Sequence, residues 1–245
     1  MSFLYNKTMK IHPIITHNSL QNIFYILEFW NKQALVIDPC DAELCNNFLD
    51  ENNLTLEKIL ITHEHADHYS AVSELDCHEI YASSIASASL PFHVSYEFKD
   101  DEEIFFEAWD VSLRVVDVPG HTPWHVMFEY IVHERVEALF VGDTLFAAWV
   151  GNVYSWNVND LFESIQKFKK YRDQVVIYPG HDYLENNIQF TLKYFPELKL
   201  KAQEILQQKG DSVYFTNLLQ ERSINVFIHA SEEEFIEWRR LRNTW

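Results

Sequence analysis

Ile59-Leu60-Ile61-Thr62-His63-Glu64-His65-Ala66-Asp67-His68 runs an apolar segment of strand length directly into three imidazoles and a carboxylate. The same junction recurs further on. Residues 113–118 lead into Pro119-Gly120-His121, residues 138–141 into Gly142-Asp143, and residues 175–178 into Pro179-Gly180-His181. Four strand-like runs that each finish in His or Asp would bring those residues together along one edge of a sheet. Ligand sites of α/β folds gather at the carboxyl ends of strands, and a rigid sheet is the usual support for chemistry carried on loops.

His63, His65, Asp67, His68, His121, Asp143 and His181 make seven donors, too many for one tetrahedral ion and suited to two. His63, His65 and His121 group on one ion, Asp67, His68 and His181 on the other, and Asp143 bridges them. Imidazole nitrogen with carboxylate oxygen suits zinc, iron or manganese, whereas calcium and magnesium prefer oxygen alone. The expected cofactor is two divalent ions per chain, zinc first, with iron or manganese compatible. Two such ions roughly 3.5–4 Å apart can share a water, lower its pKa towards ~7 and present hydroxide to a carbonyl. Asp67 and Asp143 are then the carboxylates that serve catalysis, with the bridging hydroxide as nucleophile. No Gly-x-Ser-x-Gly elbow or P-loop offers a competing mechanism. Any one of His121, Asp143 or His181 alone would read as an ordinary structural residue; it is their convergence that points to metal. His125 lies near a ligand position without an assigned role.

The chain has 245 residues, 47% of them hydrophobic, enough to bury a full-sized core. With 37 acidic and 19 basic residues its formal charge is −18, which repels nucleic acid and anionic membranes over most of the surface. An anionic substrate therefore needs a local basic site. The N-terminal segment has neither the charge nor the apolar run of a signal peptide, which implies the cytoplasm. Cys40, Cys45 and Cys77 form no disulfide framework and read as reduced thiols. Leu161, Phe162, Ile165 and Phe168 recur at helical spacing, as do Leu184, Ile188, Leu192 and Phe195, and after about Asp182 the pattern is mostly helical.

Taken in order, His63-x-His65-x-Asp67-His68, Gly120-His121-Thr122, Gly142-Asp143-Thr144 and Gly180-His181 resemble the metallo-β-lactamase superfamily. That resemblance implies an αββα sandwich with two metals at one edge of the paired sheets. It also implies that Asp38, in Val36-Ile37-Asp38-Pro39, orients the ligands rather than serving as a turn or cap residue. Within the superfamily, Gly142-Asp143-Thr144-Leu145-Phe146, Gly180-His181-Asp182-Tyr183 and Glu221-Arg222-Ser223-Ile224-Asn225 look like glyoxalase II, as does the ending Arg239-x-x-Arg242-Asn243-x-Trp245. The implied division is a catalytic domain over 1–181 and a small helical glutathione-binding domain over 182–245.

The implied reaction is hydrolysis of S-D-lactoylglutathione to D-lactate and glutathione. The partner is then a small-molecule glutathione thioester, with no nucleic acid and no membrane, and the chain is expected to be a monomer. Arg239 and Arg242, three apart on one helix face, could clamp a carboxylate of glutathione, and Tyr154 and Tyr183 match aromatic residues that contact its body. Three departures concern the substrate: Asn152 stands where Lys or Arg is usual, Ser155-Trp156-Asn157 replaces Glu-Gly-Thr, and Trp124 replaces a glycine. Two alternatives share the fold. One is a persulfide dioxygenase with a single iron on His63, His121 and Asp143; the other is a dimetal hydrolase of another thioester or ester. The complete second donor set favours hydrolysis.

Overall fold

Alternation within the apolar runs decides which way each strand faces. In the computed structural model, which describes residues 9–106, 111–210 and 212–243, β1 (Lys10–Ile15), β2 (Ile23–Glu28), β3 (Gln33–Ile37), β4 (Thr55–Leu60), β5 (Ile80–Ser83) and β6 (Tyr96–Phe98) form one sheet in that order. Its pairings are antiparallel up to β3 and parallel beyond. β7 (Glu103–Phe106), β8 (Val111–Asp117), β9 (Val126–Val132), β10 (Arg135–Gly142) and β13 (Val176–Pro179) form a second sheet, with only the β10–β13 pair parallel. A two-stranded ribbon, β11 (Leu145–Phe146) with β12 (Trp149–Val150), stands at its end.

Successive side chains of a strand point to opposite faces, and both faces here are apolar. Tyr25 and Leu27 of β2 enter the layer between the sheets with Leu113, Phe128 and Phe140. Phe24 and Ile26 face the other way, beneath α1 (Ala42–Asn52), with Cys45 and Leu49. In the second sheet Met127, Leu139 and Val141 turn outward against α2 (Val158–Gln166) and the later helices. The result is the expected αββα sandwich. Each fully buried Leu or Phe contributes about 1.5–3 kcal/mol, so the inter-sheet layer outweighs any single polar contact in holding the sheets together.

One expectation is corrected. The donor-bearing strands do not share one sheet: β4 belongs to the first, and β8, β10 and β13 to the second. Their ends meet because both sheets finish at the same rim. There the Val126 N–H donates to the Thr62 carbonyl at 2.9 Å, and the Tyr25 hydroxyl donates to the Pro179 carbonyl.

Helices dominate after Asp182, as the pattern predicts: α3 (Leu184–Tyr194), α4 (Lys199–Lys209), α5 (Leu218–Ile224) and α6 (Glu232–Arg242). None of the helices among the described residues is long and apolar enough to cross a membrane. Leu184, Ile188, Ala202 and Ile205 close over Ala147 and Ala148, the turn of the β11–β12 ribbon, while Phe227 and Phe235 pack on the outer face of the second sheet. Asn217 and Ser231 start α5 and α6 with capping boxes, each satisfying two backbone donors that a helix start leaves free.

The Glu221-to-Asn225 motif has a structural role. Glu221, fully buried, accepts from the Ala148 N–H at 3.1 Å, the Thr216 hydroxyl at 2.7 Å and the Asn225 amide at 2.8 Å. Asn225 also donates to the Trp149 carbonyl at 3.0 Å, and Asn187 to the Ala147 carbonyl at 3.0 Å. Ala148 has φ +62, a left-handed conformation that costs a non-glycine residue about 1–3 kcal/mol, and this network holds it there. Glu221→Ala would leave several buried donors unsatisfied and should lower unfolding free energy by about 2–4 kcal/mol, read by urea denaturation.

Burial raises the Glu221 carboxyl to about 7, against the pull of its three donors. The folded state therefore retains a proton that the unfolded chain releases near 4.5, and stability falls as pH rises from there through about 7. Relative to the non-titrating Glu221→Gln variant, the wild-type chain should lose stability across that interval and then level off. A difference that stays flat from pH 4.5 to 8 would remove Glu221 as the cause.

Candidate metal centre

β4 ends at Leu60, and the chain turns through His63 and His65 into a short 3-10 turn at Ala66–His68. His63 Nε2 lies 3.2 Å from His65 Nδ1, and His121 Nε2 lies 3.0 Å from the same atom, so three nitrogens converge. On the other side Asp67 Oδ2 stands 3.8 Å from His68 Nε2 and 3.5 Å from His181 Nε2. Asp143 lies between the two sets. Its Oδ1 is 3.3 Å from His68 Nε2, and its Oδ2 is 3.4 Å from His121 Nε2 and 3.3 Å from His181 Nε2. All seven donors expected from the sequence come together, in two sets that could each hold an ion.

The far side of each ring fixes which nitrogen faces the centre. His121 Nδ1 meets the Asn152 carbonyl at 3.0 Å and His181 Nδ1 the Leu20 carbonyl at 2.8 Å. A carbonyl only accepts, so both Nδ1 atoms carry the proton and both Nε2 lone pairs face inward. His68 Nδ1 likewise donates to Asp38 Oδ2 at 2.9 Å. The Thr62 hydroxyl gives its proton to the same oxygen at 2.6 Å and so accepts from His63 Nδ1 at 2.9 Å. Acceptors behind imidazoles that leave the other nitrogen bare are the arrangement by which proteins orient metal ligands.

The donor set fits a pair of cations. His63 is driven well below its ordinary pKa, and His121 down to about 4, chiefly by burial, so both stay neutral. Burial also works against a charge on His68, but Asp143 and Asp38 outweigh it and raise its pKa well above normal. Asp143 would be raised by burial, yet His181, His68 and His121 hold it well below the carboxylate range. His68 Nε2 and Asp143 Oδ1, both buried, face each other at 3.3 Å without a well-aligned hydrogen bond. Inward-facing lone pairs about 3 Å apart around a buried carboxylate repel one another unless positive charge sits among them.

Asp38, expected to orient ligands, accepts from the Thr62 hydroxyl, His68 Nδ1 and, at 2.7 Å, the Thr62 N–H; it caps no helix, since α1 is capped by Asp41. Sequence reasoning missed two supports. Asn22 donates to the Asp67 carboxylate at 3.1 Å, and His125 accepts the Asp143 N–H at 3.0 Å while stacking on His63 at 4.5 Å. Gly180 allows a close approach to the donors: a Cβ there would lie 2.5 Å from Asp143 Oδ1 and 2.6 Å from His68 Cε1. Glu64, between ligands, accepts from the Thr122 hydroxyl at 2.9 Å and takes no part in either set.

Three of the four remaining expected residues, Tyr154, Tyr183 and Arg242, line a cavity of about 350 Å³ over the centre. Tyr183 stacks on His181 at 4.8 Å, and Tyr154 meets His65 and His121 edge-on at 5.2 and 5.3 Å. Arg242 lies over the Trp149 and Phe190 rings and donates to Asn187. Arg239 stands deeper, donating to Asn152 at 2.8 Å and Asn243 at 2.9 Å, and is not in the cavity wall. No carboxylate pairs with either arginine among the described residues, and Trp245 lies outside them. Replacing Asp38 with Asn should weaken binding at the Asp67–His68–His181 set about 10–100-fold, measured by competition with a chromophoric chelator. Unchanged affinity would mean that Asp38 does not orient His68.

The profile of the metallo-beta-lactamase superfamily matches residues 22–181. A hydroxyacylglutathione hydrolase of Francisella philomiragia is 32% identical over 260 aligned positions, covering 97% of this chain and all of the relative. Hydroxyacylglutathione hydrolase 1 of Vibrio vulnificus is 36% identical over 228 positions, covering 89% of this chain and 87% of the relative. The crystal structure of a metallo-beta-lactamase from Staphylococcus aureus superposes with a TM-score of 0.73 at 21% identity, over 95% of this chain and 66% of that one, a likeness of fold. With the motifs, the sandwich and these alignments in agreement, the chain belongs to the metallo-β-lactamase superfamily and, within it, to the hydroxyacylglutathione hydrolase (glyoxalase II) family.

Proposed function

We propose that this protein hydrolyses S-acylglutathione thioesters, converting S-D-lactoylglutathione to D-lactate and glutathione. The observation that carries the reading is that one cavity joins the donor sets to a cation paired with no carboxylate among the described residues. Asp67, Asp143 and His181 line it together with Arg242, whose Nη1 is buried with no hydrogen-bond partner among the described residues. In a chain of formal charge −18, an uncompensated guanidinium of this kind suits a carboxylate-bearing substrate.

His63, His65 and His121 would hold one divalent ion, Asp67, His68 and His181 a second, with Asp143 spanning both. Zinc is the expected occupant, iron and manganese being compatible with the same donors, and two such ions supply Lewis acidity and a water of lowered pKa. In the net reaction water adds across the thioester: the carbonyl carbon gains oxygen, the C–S bond breaks, and sulfur leaves to become a free thiol. The chain contributes position. Arg242 would receive a glutathione carboxylate, Tyr183 and Tyr154 would flank the thiol carrier, and Arg239 would act through Asn152 from behind the wall. The complete second donor set supports hydrolysis over single-iron chemistry. Free cysteines, two buried and one half-buried, suit a reducing compartment such as the cytoplasm.

The deciding assay compares S-D-lactoylglutathione with the same acyl group on a thiol lacking the glycine carboxylate, using protein of measured metal content. Selective turnover of the glutathione thioester supports the reading, whereas equal turnover of both would refute glutathione specificity. Arg242→Ala should raise KM for the glutathione thioester about 10–100-fold, the loss of one charge-assisted contact, with a much smaller change in kcat. An unchanged KM would take Arg242 out of substrate binding.

A further inference from the structure

A second groove, of about 440 Å³, shares His65 and Tyr154 with the cavity that holds Arg242. His65 and Tyr154 line both spaces, so the groove adjoins the metal centre at His65. Its other walls are Pro123, Trp124, Val153 and Trp156, with Glu64 and Thr122 bonded to each other beside His65. Trp124 and Trp156 are two of the departures from the glyoxalase II pattern.

The walls are held in place. The Tyr154 N–H donates to the His121 carbonyl at 2.8 Å, and the Ser155 hydroxyl to the Gly120 carbonyl at 2.8 Å, which ties the segment carrying Trp156 to the loop carrying His121 and Trp124. Trp156 itself combines two costs. Its φ is +61, in the left-handed region, and its side chain is 92% exposed. A large aromatic residue in a conformation that costs about 1–3 kcal/mol, without compensating burial, is better explained by a ligand than by packing.

Resting on the thioesterase reading, we infer that this groove is the acyl subsite and that it selects an uncharged aromatic or bulky apolar acyl group, held against Trp124 and Trp156. The thiol carrier would occupy the Arg242 side and the acyl substituent the tryptophan side, with the thioester carbon over the centre between them. A small acyl group such as lactoyl leaves most of the groove unused. An anionic one would face Glu64, and the groove lining includes no Lys or Arg to receive it.

The test pairs S-D-mandeloylglutathione with S-D-lactoylglutathione, which differ by phenyl for methyl on the same 2-hydroxyacyl unit. The expected result is a kcat/KM for the mandeloyl ester at least equal to that for lactoyl. Trp156→Asn, which keeps a residue tolerant of positive φ at an exposed position, and Trp124→Gly should each lower the mandeloyl-to-lactoyl ratio about tenfold, the scale of one lost aromatic contact surface. Binding is read separately by calorimetry with two thioethers that cannot be hydrolysed, S-benzylglutathione and S-methylglutathione. The metal-loaded protein should prefer the benzyl compound about tenfold, and both variants should lose that preference. A preference for lactoyl, or a ratio that neither substitution moves, overturns the acyl subsite. If neither thioester is turned over, the thioesterase reading fails, and calorimetry still decides the groove: no benzyl preference, or one that survives both substitutions, overturns it.

Discussion

The carboxylate of Asp38 ties the end of β4 to an imidazole of each donor set. It accepts the Thr62 N–H, the Thr62 hydroxyl and His68 Nδ1, and so fixes the chain just as it leaves β4. Because Thr62 spends its proton on Asp38, it must accept one from His63, and a single buried charge thereby orients an imidazole in each donor set. Asp38 adopts φ +56, a conformation that Asp tolerates better than most side chains. The strain is held by bonds that serve the site, not by packing elsewhere.

The same economy governs the charges. Asp143 is buried beside His68, His121 and His181, which hold it ionised. Removing an isolated carboxylate from water costs far more than any single contact returns, unless cations surround it. Around Arg242 and Arg239 the opposite imbalance holds, with one guanidinium buried, the other half-buried and no carboxylate paired with either among the described residues. One region of the rim thus calls for positive charge and the adjoining region for negative, and both lie within reach of one cavity. An anionic molecule with an electrophilic centre satisfies the two demands together.

The donors were legible because each ends an apolar strand, and the rigidity of a sheet converts that position in sequence into a position in space. The support behind them was much less so. His121 and His181 are oriented by the carbonyls of Asn152 and Leu20, and every residue possesses a carbonyl, so no side-chain pattern could mark these partners. Asn22 reaches Asp67 across forty-five positions of chain, a contact created only when the first sheet folds. Periodicity put Arg239 and Arg242 on one helical face, but not at one depth: the first is screened by Asn152, and the second enters the cavity wall. The assignment of donor strands to two sheets was also beyond the local pattern, because an apolar run looks alike in either.

The order of the strands along the polypeptide sets an order of assembly during synthesis. The set formed by His63, His65 and His121 is present in the nascent chain sixty residues before His181 is made, counting from 121 to 181. His181 follows β13, the last strand among the described residues, which joins the edge of its sheet alongside β10. Until that strand docks, Asp67 and His68 lack their third partner, and the His181 contact to Asp143 is missing. A chain released between residues 143 and 180 therefore carries every donor but His181, and completion of the second set doubles as a report that translation has passed β13.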